Sequence, residues 1–295
     1  MTKWTSADIP DQHGRTVVVT GANSGIGAVT ARTLARAGAL VILACRDTAK
    51  GERAAATMSG RTEVRRLDLA DLSSVREFAE GVDGPVDVLV NNAGVMAVPR
   101  RTTADGFELQ IGTNHLGPFA LTGLLLGRIR GRVVTVASSA HHIGRIRLDD
   151  LNWERGRYRR WSVYGQSKLA NLLFTYELQR RLAAVGSPVE AMAAHPGYAA
   201  TNLQSHTESI QDRIMSIGNR LFAQSDEMGA LPALYATTEP GLPGGSYVGP
   251  SRWMQTRGHP TIVGSSSTSR NVELAGALWD LSEELTAVRY DFAAI

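Results

Sequence analysis

Tyr164 and Lys168 stand four residues apart in a stretch with helical spacing, so their side chains share one face. A free phenol titrates near about 10 and is a poor proton donor or acceptor at neutrality. An ammonium held beside it favours the phenolate and is expected to lower that value by about 1–3 pH units. Such a phenol can give a proton to a carbonyl oxygen, or take one from an alcohol, while hydride moves at the adjacent carbon. A second group suits an anion. Thr20-Gly21-Ala22-Asn23-Ser24-Gly25-Ile26-Gly27 follows an apolar run directly and opens a helical stretch. Glycines there allow a tight turn and close approach of the backbone to a pyrophosphate, at a helix N-terminus whose N–H groups and dipole favour negative charge. A third feature is Asn114, four residues before Pro118. Proline has no N–H to offer the Asn114 carbonyl and its ring clashes there, so a kink and a free carbonyl are expected.

These residues need a frame that carries them to one place. Short β-branched runs at 16–20, 40–44, 63–67, 86–90, 132–137 and 189–194 alternate with helical stretches at 26–37, 48–58, 73–81, 104–128 and 162–185. Most runs are nearly continuously apolar, as in strands buried on both faces of a parallel sheet. The run at 63–67 contains Arg65 and Arg66 and is taken as a strand from its place in the alternation. The order predicts an α/β fold: one domain over 1–295, a doubly wound parallel sheet of Rossmann type with helices on both faces. After Thr201 the regularity lapses. Stretches 202–222 and 226–237 look helical, 239–245 reads as turns, and 246–248 as a last strand. A Ser-rich stretch at 264–271 is expected to be mobile, before a closing helix over 272–285. Segment 202–270 is expected to cover the substrate at the carboxyl edge of the sheet.

Composition narrows the classes. The 295 residues are 43% hydrophobic and 20% charged with a net charge of +3, which suits a globular core and gives no nucleic-acid footprint. The arginines between 145 and 160 read as charge on a solvated loop. A lone cysteine, Cys45, excludes an intrachain disulfide and suggests a reducing, cytoplasmic setting. No apolar run reaches the length of about 18 residues that a spanning helix needs, and residues 1–12 are polar, so no membrane segment is expected. No metal site is expected either.

The glycine turn resembles that of the short-chain dehydrogenase/reductase family, which has the form Thr-Gly-x-x-x-Gly-x-Gly. The likeness continues in the family's order through Asp68-Leu69, Asn91-Asn92-Ala93-Gly94, Asn114, Ser138, Tyr164-x-x-x-Lys168 and Pro196-Gly197-x-x-x-Thr201. A narrower likeness is to the retinol-dehydrogenase-like and WW-domain-oxidoreductase-like branch. It rests on Ala44-Cys45-Arg46-Asp47, Ser139-Ala140-His141-His142, Ser167-Lys168-Leu169-Ala170-Asn171 and Trp279-Asp280-Leu281-Ser282-Glu283-Glu284-Leu285. Many eukaryotic members of that branch carry an N-terminal membrane anchor, which is not expected here.

The resemblance implies roles. Tyr164 is the acid–base group, and Lys168 also hydrogen-bonds the nicotinamide ribose. The Asn114 carbonyl holds a water that passes protons toward Lys168. Ser138 holds the substrate oxygen, with Ser139 as the alternative. Cofactor contacts are expected from Gly21, Asn23, Ser24, Gly25, Ile26, Gly27, Asp68, Leu69, Asn92, Ala93, Gly94, Pro196, Gly197 and Thr201. NAD-preferring members usually place an Asp at the end of the second strand. Here Cys45 and Arg46 stand there, and a guanidinium can bond a 2′-phosphate in bidentate fashion. NADP(H) is therefore preferred and NAD(H) left open, with Asp47 tempering and Lys50 reinforcing the preference. His141 and His142 are read as packing or surface residues.

The expected activity is interconversion of a small-molecule carbonyl and alcohol. A nucleotide-bound regulator without turnover is the alternative, and the full set Asn114, Ser138, Tyr164 and Lys168 argues against it. A methyltransferase has no use for the Tyr–Lys pair, and an extended-branch epimerase has another glycine spacing and a larger C-terminal domain. Finally, the helix carrying Tyr164 has two apolar stripes. Leu169, Leu172, Leu173 and Tyr176 form one, and Phe174, Leu178, Leu182 and Val185 the other. Two stripes need two burial partners. A homodimer is the expected solution, and cover by the Arg-rich segment the competing one.

Overall fold

In β1 (Thr16–Thr20), Val17 and Val19 face one side of the strand and Val18 the other, and all three are fully buried. A strand of this kind needs apolar cover on both faces. The computed structural model describes residues 3–197 and 225–295. Seven further strands are β2 (Leu40–Cys45), β3 (Arg61–Arg66), β4 (Val86–Asn91), β5 (Ile129–Val136), β6 (Glu190–Ala194), β7 (Tyr247–Arg252) and β8 (Arg257–Ile262). They form one sheet in the order β3-β2-β1-β4-β5-β6-β7-β8, parallel throughout except for β8, which runs antiparallel to β7. The helices are α1 (Gly25–Arg36), α2 (Thr48–Ala55), α3 (Leu72–Glu80), α4 (Leu109–Ile111), α5 (Gly117–Leu125), α6 (Arg160–Ala184), α7 (Asp226–Thr238) and α8 (Val272–Thr286).

Each face of the sheet has its own core. Val17, Val19, Leu43, Val90 and Met192 pack with Ile26 and Leu34 of α1 and with Leu231 and Leu234 of α7. On the other face Val18, Ile42, Leu89 and Val133 meet Phe78 of α3, Phe119 of α5 and Phe174 of α6. This is the expected doubly wound, Rossmann-type arrangement. The direction of winding reverses between β1 and β4, so a crevice opens beyond their carboxyl ends, where ligands bind in such sheets.

Several expectations need correction. β3 is the edge strand, which is why Arg65 and Arg66 are tolerated in it. The helix expected over 104–128 begins only at Leu109, because Gly106 turns the chain at φ +84° and Glu108 caps the helix by accepting from the N–H groups of Gln110 and Ile111. It widens into a π-turn over Gly112–Leu116 and tightens to a 3-10 turn at Leu126–Arg128. The helix expected over 226–237 is α7 and the last strand expected at 246–248 lengthens into β7, but the sheet continues into β8, so residues 225–262 are more regular than a loose cover. The strand β8 carries His259 and Pro260 and lacks an apolar alternation, so it was not expected. Stretch 202–224 lies outside the described residues. The Ser-rich stretch is not loose: Thr268–Arg270 form a 3-10 turn and Ser269 is fully buried.

The second stripe of α6 is covered within the chain. Leu169 and Leu173 pack against Ala275 and Leu278 of α8 and Leu151 of the Arg-rich segment. Trp279 of α8 stacks on Phe174, and the Tyr290 hydroxyl donates to the Phe119 carbonyl at 2.7 Å. The reason for expecting a second subunit is thereby removed. Within the Arg-rich segment, Arg147 pairs with Asp150 at 2.9 Å and lies over Trp153, and Arg155 pairs with Asp149, so much of its charge folds the segment itself.

Candidate active site

The crevice between β1 and β4 is held shut at its base by hydrogen bonds. Thr20 Oγ1 accepts from the N–H groups of Asn92 and Ala93, each at 3.0 Å, and the Asn92 amide donates to the Thr20 carbonyl at 2.8 Å. Above it the glycine turn forms a cradle. Gly21 and Gly25 adopt φ of +66° and +55°, and a Cβ on Gly27 would lie 2.4 Å from the Gly21 carbonyl oxygen. A Cβ on Gly25 would meet only Asp226 Oδ2, at 4.0 Å. The side chain of Ser24, at the N-cap of α1, makes no capping bond. By contrast α2, α3, α7 and α8 are capped by Asp47, Asp71, Ser225 and Asn271. A tight turn, open space over a glycine and a helix start without a side-chain cap are what a dinucleotide pyrophosphate requires, so the residues present fit that group.

Around the cradle, Arg46 is exposed and has no partner among the described residues. Asp47 is taken up by capping α2 and by Lys50, whose ammonium lies 3.7 Å away. The Asp68 carboxylate accepts from the Ala70 N–H at 3.0 Å and Leu69 is buried. Gly197 N–H donates to His195 Nδ1 at 3.2 Å, holding the turn after β6. Thr201 lies outside the described residues. Among the described residues no cluster of metal-ligand side chains occurs, and no helix is long and apolar enough to cross a membrane.

Beside the cradle, four side chains converge. Tyr164 and Lys168 are buried on α6, with Lys168 Nζ 5.8 Å from the centre of the Tyr164 ring. The Ser138 side chain lies near enough to the Tyr164 phenol to favour its phenolate, while Ser139 is exposed. Asn114 is clasped at both ends: its Oδ1 accepts from Val95 N–H at 2.7 Å, and its Nδ2 donates to the Val95 carbonyl and to Ser167 Oγ, both at 2.9 Å. Gly94 must be glycine here, because a Cβ would stand 2.9 Å from Asn114 Oδ1. The π-turn that contains Asn114 lies just ahead of Pro118, where the missing N–H was expected to break the helix.

Two residues emerge that spacing alone had left without a role. Lys168 Nζ and Asn171 Nδ2 both donate to the Val136 carbonyl, at 2.9 and 3.2 Å, and so bind α6 to the end of β5 from which Ser138 follows. Ser167 Oγ donates to the Tyr164 carbonyl at 2.8 Å and accepts from Asn114, joining the π-turn to the same helix. Their signal in the sequence was the three- and seven-residue spacing from Tyr164 on one helical face. Asp226, brought to the cradle by α7, had no signal at all.

Electrostatics differ from expectation. Burial pushes the Tyr164 phenol up to about 12, with the nearby Ser138 side chain opposing it. Burial also pulls the Lys168 ammonium down to about 8. The ammonium was expected to lower the phenol, but Lys168 directs its Nζ at a carbonyl, and the dry surroundings penalise both charged forms. Tyr164 therefore stands as a neutral O–H.

Comparison with known proteins agrees with this geometry. The family model for short chain dehydrogenases matches residues 15–212. Retinol dehydrogenase 12 of Homo sapiens is 42% identical over 94% of this chain and 88% of its own length. Retinol dehydrogenase 13 of Homo sapiens is 47% identical over 75% of this chain and 71% of its own. Among solved structures, an uncharacterized protein from Mycobacterium paratuberculosis is 57% identical, covers 98% of this chain and 100% of its own, and superposes with a TM-score of 0.86. A protein from Beutenbergia cavernae, described as an NAD(P)-dependent gluconate 5-dehydrogenase and solved with NADP at low occupancy, is 29% identical over 80% of this chain and 95% of its own, with a TM-score of 0.61. The match covers the cradle and the Tyr–Lys helix together, and this chain belongs to the short-chain dehydrogenase family of oxidoreductases, in its retinol-dehydrogenase-like branch.

Proposed function

We propose that this protein interconverts an apolar alcohol and its aldehyde or ketone with NADP(H) as hydride partner, Tyr164 acting as general acid and base. The observation that carries the reading is the buried Tyr164 phenol, close to Ser138 and one helical turn from Lys168, beside a glycine cradle. Gly21 to Gly27 would hold the pyrophosphate, Arg46 the 2′-phosphate, and Lys168 the nicotinamide ribose. When bound, the dinucleotide supplies or accepts the hydride. Ser138 orients the substrate oxygen, and Tyr164 gives that oxygen a proton in reduction or takes one in oxidation. Lys168, anchored on Val136, receives protons from the water expected on the Asn114 carbonyl and relays them toward Tyr164. The free guanidinium of Arg46 supports NADP(H) over NAD(H).

The substrate class rests on two features. Both named relatives are retinol dehydrogenases. In addition, Ile143 and Trp161 are exposed close to the catalytic tyrosine: the Trp161 ring lies 6.0 Å from that of Tyr164, and Ile143 packs against Gly165. Apolar side chains left in water at a reaction site suit an apolar substrate. A cytoplasmic setting is part of this reading and is supported by the single, buried thiol of Cys45. The test is coenzyme absorbance with all-trans-retinal, decanal, benzaldehyde and gluconate-type polar ketones, each with NADPH and NADH. Faster turnover of retinal and decanal with NADPH is expected. Turnover of the polar ketones alone would refute the substrate class, and no turnover with bound coenzyme would favour the regulator.

A further inference from the structure

His141 is a fully buried imidazole, and the reaction scheme makes no use of it. Its two ring nitrogens meet different partners. Nδ1 lies 2.7 Å from the carbonyl oxygen of Ser138, which can only accept, so Nδ1 carries the hydrogen. Nε2 lies 3.2 Å from the Ser266 nitrogen, whose N–H can only donate, so Nε2 is the acceptor. One neutral tautomer thus satisfies both neighbours. Burial holds the ring neutral, pulling it down to about 4, with the tilted His142 ring beside it adding to the effect. With both nitrogens occupied by main-chain groups, His141 has no free position from which to shuttle a proton.

What it joins is more informative. Ser266 belongs to the Ser-rich turn, which is itself fixed to α6: the Tyr176 and Ser265 hydroxyls are 2.8 Å apart, and Ser269 Oγ donates to Ser265 Oγ at 2.8 Å. The links form a circuit that runs from Ser138 through His141, Ser266 and Ser265 to Tyr176, then along α6 to Tyr164, whose phenol faces Ser138. The turn after β5 is therefore referenced to the helix carrying the phenol by a route separate from the Val136 anchor.

We propose that His141 is a positioning residue: it clamps the Ser138 carbonyl to the Ser-rich turn and so sets the distance between the Ser138 hydroxyl and the Tyr164 phenol. This rests on the assignment of Ser138 and Tyr164 to the reaction. Misplacing a catalytic group by about 1 Å costs on the order of a hundredfold in rate. An asparagine keeps a donor near Nδ1, whereas a glutamine places its amide near Nε2 and leaves the Ser138 carbonyl unbonded.

The test is steady-state turnover of decanal with NADPH, with NADPH affinity from fluorescence and Tm for each variant. His141→Gln should lower kcat about tenfold to a hundredfold with NADPH affinity unchanged, and His141→Asn should restore it to within about threefold of the parent. Tyr176→Phe keeps the ring and removes only the hydroxyl at the far end of the circuit. It should lower kcat by about threefold, and by nothing further in a Ser138→Ala background. Equal losses in the Asn and Gln variants that follow Tm would overturn the proposal, as would parental kcat in both His141→Gln and Tyr176→Phe. Should His141→Gln fail to fold, the Tyr176→Phe pair decides alone. Ser138→Ala separates the two levels: parental kcat there removes the underlying assignment, whereas a collapse there beside an unaffected His141→Gln removes only the clamp.

Discussion

The glycine cradle and the notch around Tyr164 adjoin each other but are built in opposite ways. The cradle is main chain: two glycines with positive φ, an N-terminus without a side-chain cap, and a third glycine with no room for a Cβ. The notch is side chain on buried main chain: Lys168 and Asn171 on the Val136 carbonyl, Asn114 across Val95, Ser167 under Tyr164. A site made of backbone tolerates no added atom, and a site made of side chains tolerates no lost one. Deletions should therefore damage chemistry and leave coenzyme binding, while additions should do the reverse.

The largest effect tests the notch. Tyr164→Phe removes one oxygen and should lower turnover by about a hundredfold to ten-thousandfold, with NADPH affinity by fluorescence within about twofold of the parent. Retained turnover would end the assignment of Tyr164. The cradle answers to Gly27→Ala, whose methyl would press on the Gly21 carbonyl and the Asn92 amide. Overpacking of this kind costs about 1–3 kcal/mol, so NADPH and NADH should both weaken roughly tenfold to a hundredfold while kcat at saturating coenzyme holds. Calorimetric titration with each coenzyme checks it, and normal affinities would show that the cradle is not where they bind.

Arg46→Asp sharpens the comparison, because it touches the cradle by charge instead of bulk. A charged hydrogen bond is worth about 1.5–3 kcal/mol, so NADPH should weaken about tenfold to a hundredfold and NADH little. Equal loss of both would place the 2′-phosphate elsewhere. A pH profile then probes the dryness of the notch. Burial holds Lys168 at about 8, below its ordinary value, so the ammonium is present below that pH and lost above it. For carbonyl reduction, kcat/KM should be level to about pH 7 and fall as pH rises through about 8, approaching tenfold per pH unit. A profile still level at about pH 9 would mean that Lys168 keeps its proton. The smallest effect is an absence of change. With the second stripe of α6 covered by α8, light scattering should give a mass near the 31.7 kDa of one chain at all micromolar concentrations. A dimer whose interface maps to α6 would contradict that cover.

The same contrast explains what could be read in advance. The cradle was legible because its parts lie within eight consecutive residues, and the sheet because its strands are apolar runs separated by helices. Tyr164, Lys168 and Asn114 were legible by helical spacing and by Pro118. Illegible were the partners that meet only in three dimensions: Val136 under Lys168, Val95 around Asn114, Asp226 over Gly25 and Ser266 on His141. The Ser-rich stretch misled because serines read as solvated when no partner is in view, and here Ser269 bonds Ser265, which in turn meets the Tyr176 hydroxyl. The π-turn was half legible. Pro118 announced a break, but its form depended on Asn114 being held from outside the helix.

The hydroxyl of Tyr290 on the Phe119 carbonyl has a kinetic consequence. It joins residues 171 positions apart, and Trp279 closes the same aromatic cluster with Phe119 and Phe174. Contacts so remote along the chain form late, after loop closure has been met by the rest of the sheet. During synthesis, the outer faces of α5 and α6 must wait as open apolar surface until residues 272–290 have left the ribosome. Such open apolar surface invites association with other chains, and docking of α8 is the step that closes it.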